Sequence, residues 1–339
     1  MKRNLTELAI AAFATTVVAG TASAATVLTL ETYAGPAHTV NANGLEIWAE
    51  QVAEASDGEL TIEITYPPVD PRDLMDRVRS GVGDIAWMTH GYTTGRFVLT
   101  DMIELPGSGG NAEQASRAYW NVYTDEVGMR EHRGVTPIAL FTHGPGMIHT
   151  TSPIETANDF SGLRIRTGGG VQAAIAEGLD FTPLSAPVTQ AQEMLSQGVA
   201  DGVMFSIETI ASFNLGDAVT HHYHYPGNLY GSSMAIIINS DVLESLSESQ
   251  RDALWSVSGE RLSGLIGAAW DTADAEAIDE FGEERVIEMD GEVLAAVEAA
   301  TADLDDEWYE RALEAGLENP DEVLTRLRNE IAAQIDEGN

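Results

Sequence analysis

At 339 residues without a single cysteine, the chain exceeds the size at which one hydrophobic core stays undivided, and packing alone must hold it together. Its 17 basic against 54 acidic residues give a net charge of −37 at pH 7, a surface that repels nucleic acid and anionic lipid. This charge does not exclude an anionic ligand, because a buried local cation outweighs a screened surface field.

The chain opens as a secretory signal peptide. Lys2 and Arg3 form a positive start, an apolar stretch runs from Leu8 to Val18, and Ala22-Ser23-Ala24 places cleavage before Ala25. The apolar run is too short to span a bilayer, and no later stretch approaches the ~18–20 apolar residues that a spanning helix needs. The expected compartment is the periplasm, with no membrane insertion. A lipid-anchored chain would need a cysteine at its mature start, so the mature chain is expected to be free. Removing residues 1–24 leaves 315 residues, with 15 basic and 53 acidic side chains, a net −38.

Strand and helix patterns alternate from there on. Residues 26–33 read as a strand and 41–55 as a helix, with Leu45, Trp48, Ala49 and Val52 on one face. A strand over 60–66, a helix over 73–82, a strand over 84–88, a helix over 112–132 and a strand over 136–142 follow. The pattern then restarts with strands over 163–167, 182–184 and 202–205, and helices over 171–178 and 189–197 between them. Residues 234–239 form a further apolar strand. The Ser247-x-x-Gln250 capping box opens a helical stretch to about residue 280. A last strand over 285–289 and two acidic helices broken at Asn319-Pro320 finish the chain. Such alternation implies α/β lobes, each with a mostly parallel sheet covered by helices.

One internal echo stands out. Gly81-Val82-Gly83-Asp84 and Gly198-Val199-Ala200-Asp201 each close a helix and lead into an apolar strand. The two strands carry Trp87 and Phe205 toward their carboxyl ends, and Tyr33 ends the first strand. Ligands of open α/β sheets sit at such edges. Two facing edges would make a cleft, and these three aromatic residues suggest an apolar pocket.

The sharpest chemical feature is Arg164-Ile165-Arg166-Thr167-Gly168-Gly169-Gly170, a strand that delivers alternate arginines to one face and then a glycine turn opening a helix. Arg166 lies nearer the turn, where free backbone N–H groups favour an anion. A guanidinium there can hold a carboxylate. The alternative is an arginine paired to one of the many acids. The glycines also fit a degenerate dinucleotide fingerprint, but the following strand is short and no ribose-binding acid has an obvious place. His221-His222-Tyr223-His224 lacks the further ligand a zinc site would need, so no metal or cofactor is assigned. No hydrolase elbow, His-Glu-x-x-His or Walker loop is present, and no catalytic residue is assigned.

With these residues in place, the chain resembles the DctP-type substrate-binding receptors of tripartite ATP-independent periplasmic (TRAP) transporters. The resemblance rests on His38 after the first strand, Gly81-x-x-Asp84, Pro153-Ile154, and Asp159-Phe160-Ser161-Gly162-Leu163-Arg164-Ile165-Arg166. Gly198-Val199-Ala200-Asp201-Gly202 and Leu246-Ser247-x-x-Gln250 complete it. It implies a two-lobe periplasmic binding protein fold with a hinge, a ligand cleft and a long helix spanning both lobes. The lobes would comprise residues 25–145 with about 231–273, and 146–230 with about 274–300, the helices of 301–339 packing on them. The resemblance further implies a non-enzymatic receptor that closes on a small organic acid and docks on a membrane permease. A monomer is expected, with a dimer through the terminal helix as the alternative.

The family's carboxylate-clamping arginine falls on Arg166, and other ligand contacts fall near Trp87, Thr89 and Phe205. Tyr33, His149 and Tyr230 complete the candidate site. Two departures bear on the ligand. Gly146 stands where many members carry a second arginine, and Met204 and Phe205 stand where many carry an acid and an asparagine. Losing a cation and gaining apolar surface favours a monocarboxylate with an apolar or aromatic body. Rival readings are a receptor for an ATP-driven importer, a ligand sensor for a membrane kinase, and a periplasmic hydrolase.

Overall fold

The computed structural model describes residues 25–337. The signal-peptide expectation lies outside them. Among the described residues, eleven strands form two sheets: β1 (Thr26–Glu31), β2 (Leu60–Thr65), β3 (Ile85–Thr89), β4 (Val135–Phe141), β5 (Met147–Thr150), β6 (Arg164–Thr167), β7 (Thr182–Ser185), β8 (Gly202–Phe205), β9 (His221–His224), β10 (Met234–Asn239) and β11 (Val286–Glu288). The first sheet has the order β2-β1-β3-β10-β4 and the second β11-β9-β5-β8-β6-β7. Helices cover both, giving two α/β lobes. Among the described residues, no helix is long and apolar enough to cross a membrane.

Each sheet is mostly parallel, as expected, with one reversed strand among the described residues. β10 runs antiparallel to β3 and β4, and β5 runs antiparallel to β8 and β9. Both are the strands that arrive from the other lobe. The chain leaves β4 at the cleft, crosses over residues 142–146, and enters the second sheet from its cleft edge. It returns from β9 to β10 in the same way. A strand entering from that side must run opposite to neighbours whose carboxyl ends point into the cleft. The helix Glu260–Phe281 makes the third crossing, packing on Ala112–Val122 and β4 at one end and on Ile207–Ser212 at the other.

Local chemistry sets the element boundaries. All six residues of β10 are buried, as a central strand covered on both faces requires. The helix expected over 112–132 is α-helical only through Val122. It continues as a π-turn to Val127 and stops at Gly128, which has φ +68°. Past that stop, the Glu131 carboxylate accepts from the backbone N–H groups of Val98, Leu99 and Thr100 at 2.7, 3.0 and 3.3 Å. The helical stretch after Ser247 divides at Val257–Gly259. There the Ser258 hydroxyl donates to the Leu254 carbonyl and accepts from the Trp48 indole, so the backbone turns.

Three helices, not two, finish the chain: Gly291–Thr301, Leu304–Glu314 and Pro320–Glu337. The first packs on Gly170–Gly178 of the second lobe. The second packs on Leu99–Ile103 and the third on Ala112–Val122, both in the first lobe. Trp308 is fully buried there, its indole N–H donating to the Val98 carbonyl at 2.8 Å. Trp308→Ala should therefore cost about 3–5 kcal/mol of unfolding free energy, the usual loss for a large buried aromatic. Equilibrium denaturation measures it, and a loss below about 1 kcal/mol would show that these helices lie outside the cooperative fold.

Candidate ligand-binding site

A cavity lies between the facing sheet edges. The first lobe contributes Tyr33, His38, Trp87, Thr89 and Tyr92. The second contributes Arg166, Gly168, Gly169, Gln172, Val188, Phe205 and Thr209. His143, Ser232 and Met234 line it near the two strand crossings, and Trp270 of the crossing helix closes it.

Arg166 sits on β6 with 1% of its surface exposed. Its Nε and Nη2 both donate to the Ala186 carbonyl, and its Nη1 to the Met204 carbonyl at 3.3 Å. The Phe205 ring lies beneath the guanidinium, 4.1 Å from Cζ to the ring centre. Among the described residues no carboxylate pairs with it. Burial accordingly pushes its pKa below the usual value, while neighbouring tyrosines act in the opposite sense. Arg164, two residues earlier, is the contrasting case. It is exposed and grips Asp201 with Nε and Nη2 at 2.9 and 2.7 Å. Removing a cation from water costs several kcal/mol unless an opposite charge compensates. Carbonyl dipoles and a ring face offset that cost only in part, so an anion beside the guanidinium would complement the site.

The walls are aromatic. Tyr33 and Trp87 have ring centres 4.5 Å apart, and His38 meets Trp87 and Trp270 edge-on. The Tyr33 hydroxyl is hydrogen-bonded to that of Thr89 at 2.8 Å. Trp87 is buried, and its indole N–H has no partner among the described residues. A polar chain runs along another side. The His143 Nδ1–H donates to the Gly144 carbonyl and its Nε2 accepts from Ser232. Ser232 in turn accepts from the Gln172 amide, whose oxygen accepts from the Gly168 N–H. This tautomer fits a neutral ring, since burial pushes the His143 pKa down to about 4.

The lobes meet over the cavity at glycines. A Cβ on Gly91 would stand 2.7 Å from the Gly168 carbonyl oxygen, and one on Gly169 would strike the Gly91 carbonyl. Only glycine on both lips lets the two backbones touch, so the conformation is closed.

Five of the residues singled out from sequence therefore come together: Arg166, Trp87, Thr89, Phe205 and Tyr33. Two do not line the cavity. His149 is buried on β5, bonded to His222 Nδ1 at 2.8 Å and to the Phe205 carbonyl at 3.2 Å. Tyr230 lies behind the wall and donates its hydroxyl to the Met147 carbonyl at 3.2 Å. Its ring fills the space beside Gly146, where a Cβ would come within 2.5 Å. The remaining histidines of the 221–224 run are occupied separately, His221 by Thr220 and His224 by Glu288.

Residues 31–312 match the bacterial extracellular solute-binding protein family 7, DctP. The chain belongs to that family. Its fold superposes on a TRAP periplasmic solute-binding protein from Bordetella bronchiseptica with bound (R)- and (S)-mandelate. That pair is 36% identical, covers 91% of this chain and 99% of the other, and has a TM-score of 0.87. A TRAP solute-binding protein from Rhodoferax ferrireducens with copurified benzoate is 26% identical, with coverage of 93% and 100% and a TM-score of 0.85. A marine-metagenome TRAP solute-binding protein specific for aromatic acids, with 3-hydroxybenzoate, is 31% identical, with coverage of 92% and 99% and a TM-score of 0.84. The outer membrane transporter protein TsaT of Comamonas testosteroni is 28% identical over 220 residues, 63% of this chain and 64% of that relative. The match thus spans less than two thirds of TsaT's length.

This solute-binding protein also joins its lobes through buried titratable groups that sequence reasoning did not find. Glu208 of the second lobe faces His38 of the first at 3.7 Å and accepts from the Thr209 hydroxyl at 3.3 Å. Its backbone N–H donates to Asp274 of the crossing helix at 2.9 Å. Burial pushes Glu208 up to about 7 and His38 down to about 4, so both are mainly uncharged in mild acid. The folded pKa of Glu208 exceeds the ordinary value of 4.5. Its stabilising contribution is therefore complete below about pH 4.5 and is lost as pH rises toward about 7. Glu208→Gln should flatten the decline in unfolding free energy between about pH 5 and pH 7 relative to the native protein. Parallel profiles in denaturant titrations would contradict this assignment.

Proposed function

We propose that this protein is a periplasmic receptor for a small monocarboxylate with an aromatic body, which it hands to a TRAP-type membrane permease. The observation that carries the reading is the buried Arg166 guanidinium, which has no carboxylate partner among the described residues. It is the one cation among the described residues lining the cavity, because burial holds His38 and His143 neutral near pH 7. One cation matches one carboxylate. A second carboxylate would meet Glu104, which also lines the cavity, and aromatic rings, with no second cation to compensate it.

The body of the ligand is read from the walls. Tyr33, Trp87, Phe205, Phe213 and Trp270 offer ring faces and edges that suit a flat apolar group. The similar proteins that hold mandelate, benzoate and 3-hydroxybenzoate support the same chemistry. The role is capture and release rather than turnover. The two lobes would open about the strand crossings at 142–146 and 225–233, and a ligand touching both shifts the population toward the closed form. The same reading places the mature protein in the periplasm after loss of residues 1–24.

Titration calorimetry with benzoate, mandelate and succinate tests the reading. The native protein should bind one or both aromatic acids and bind succinate far more weakly. Arg166→Ala should weaken aromatic-acid binding by about 2–5 kcal/mol, roughly 30-fold to several thousand-fold, as expected for truncating one partner of a desolvated charge pair. Unchanged affinity in Arg166→Ala, or a preference for succinate, would end the assignment.

A further inference from the structure

The donor count around Arg166 points to a second residue of the carboxylate site. A guanidinium has five N–H groups. Nε and one Nη2–H go to the Ala186 carbonyl, one Nη1–H goes to the Met204 carbonyl, and the other Nη2–H reaches the Tyr92 hydroxyl at 3.4 Å. One Nη1–H is left, too few donors for a carboxylate with two oxygens.

Tyr92 supplies what is lacking. It lies in the first lobe, on the short turn His90–Tyr92 directly after β3, and lines the cavity. Its hydroxyl oxygen crosses the cleft to accept from Arg166 Nη2 and from the Val188 backbone N–H at 3.1 Å, both in the second lobe. With both lone pairs engaged by donors, the hydroxyl has only its own proton left to give. Among the described residues nothing accepts that proton. A cation and a backbone N–H on the same oxygen polarise the O–H bond and strengthen it as a donor.

We propose that Tyr92 donates its hydroxyl proton to the ligand carboxylate whose other hydrogen bond comes from Arg166 Nη1. The anion site is then split between the lobes. Arg166 is in place in the second lobe alone, whereas the Tyr92 hydroxyl joins it only on closure. A ligand without an acceptor at that point leaves the phenol proton unsatisfied in a partly buried site, which penalises neutral analogues. This assignment deepens the functional reading above and rests on it.

The test uses the mature protein, the Tyr92→Phe variant and benzoate carrying ¹³C in its carboxyl group. Tyr92→Phe keeps the ring and removes only the hydroxyl. Calorimetry should show benzoate binding weakened about 10- to 100-fold, the range for losing a hydrogen bond to a charged group. The bound carboxyl ¹³C resonance should also differ between the two proteins, because the oxygen has lost a donor. Weakened binding with an unmoved resonance would mean that the hydroxyl only ties the lobes together, and would overturn the assignment. Undiminished affinity would overturn it as well. A native protein silent toward benzoate, mandelate and 3-hydroxybenzoate would overturn both this assignment and the functional reading, whereas binding that ignores Tyr92→Phe leaves that reading standing.

Discussion

A guanidinium held out of water without a carboxylate beside it is the constraint on which the remainder of the structure turns. Arg166 is 1% exposed and is satisfied only by carbonyl oxygens, a phenol and the face of Phe205. In a chain with 54 acidic residues, a counter-ion would be simple to supply. Arg164, one strand pleat away, has one in Asp201. A buried cation without its own partner is a costly arrangement for stability, and on the proposed function an incoming anion would recover the interaction that the protein forgoes.

The fold holds that cation at a place where it can be both reached and enclosed. Each sheet presents its strand ends to the cleft, and the only reversed strands among the described residues, β5 and β10, are those that carry the chain between lobes. The crossings thus lie beside the cavity rather than at a distant linker, and His143 and Ser232 of these segments are themselves cavity wall. The lobes touch backbone to backbone where Gly91 meets Gly168 and Gly169, and a side chain on Gly91 or Gly169 would hold the lips apart. Across the same cleft Tyr92 reaches Arg166 and His38 faces Glu208.

Much of this was legible in the sequence where chemistry is local. The alternation of β6 put Arg164 and Arg166 on one face, and the glycine turn told which of them sits nearer the cleft. The repeated Gly-Val-x-Asp turns placed Trp87 and Phe205 at equivalent strand ends, and both line the cavity. What escaped depends on distances between segments far apart in the chain. Tyr92 sits on a three-residue turn without periodicity, and its role comes from Val188 and Arg166, 96 and 74 residues away. β5 is four residues long and had no pattern to announce it. Its reversed direction follows from the route of the chain, which no window of residues encodes. His149 and Tyr230 carry suitable chemistry, yet they turn it toward β9 and the Met147 carbonyl rather than the cavity.

A crystal structure of the mature protein grown with benzoate tests the central claim most directly. The account predicts the carboxylate in the cavity within about 2.7–3.1 Å of Arg166 Nη1, with the ring between the aromatic walls and the lobes closed. Benzoate bound with its carboxylate turned away from Arg166, or an anion other than the ligand paired to that guanidinium in the loaded form, would contradict it.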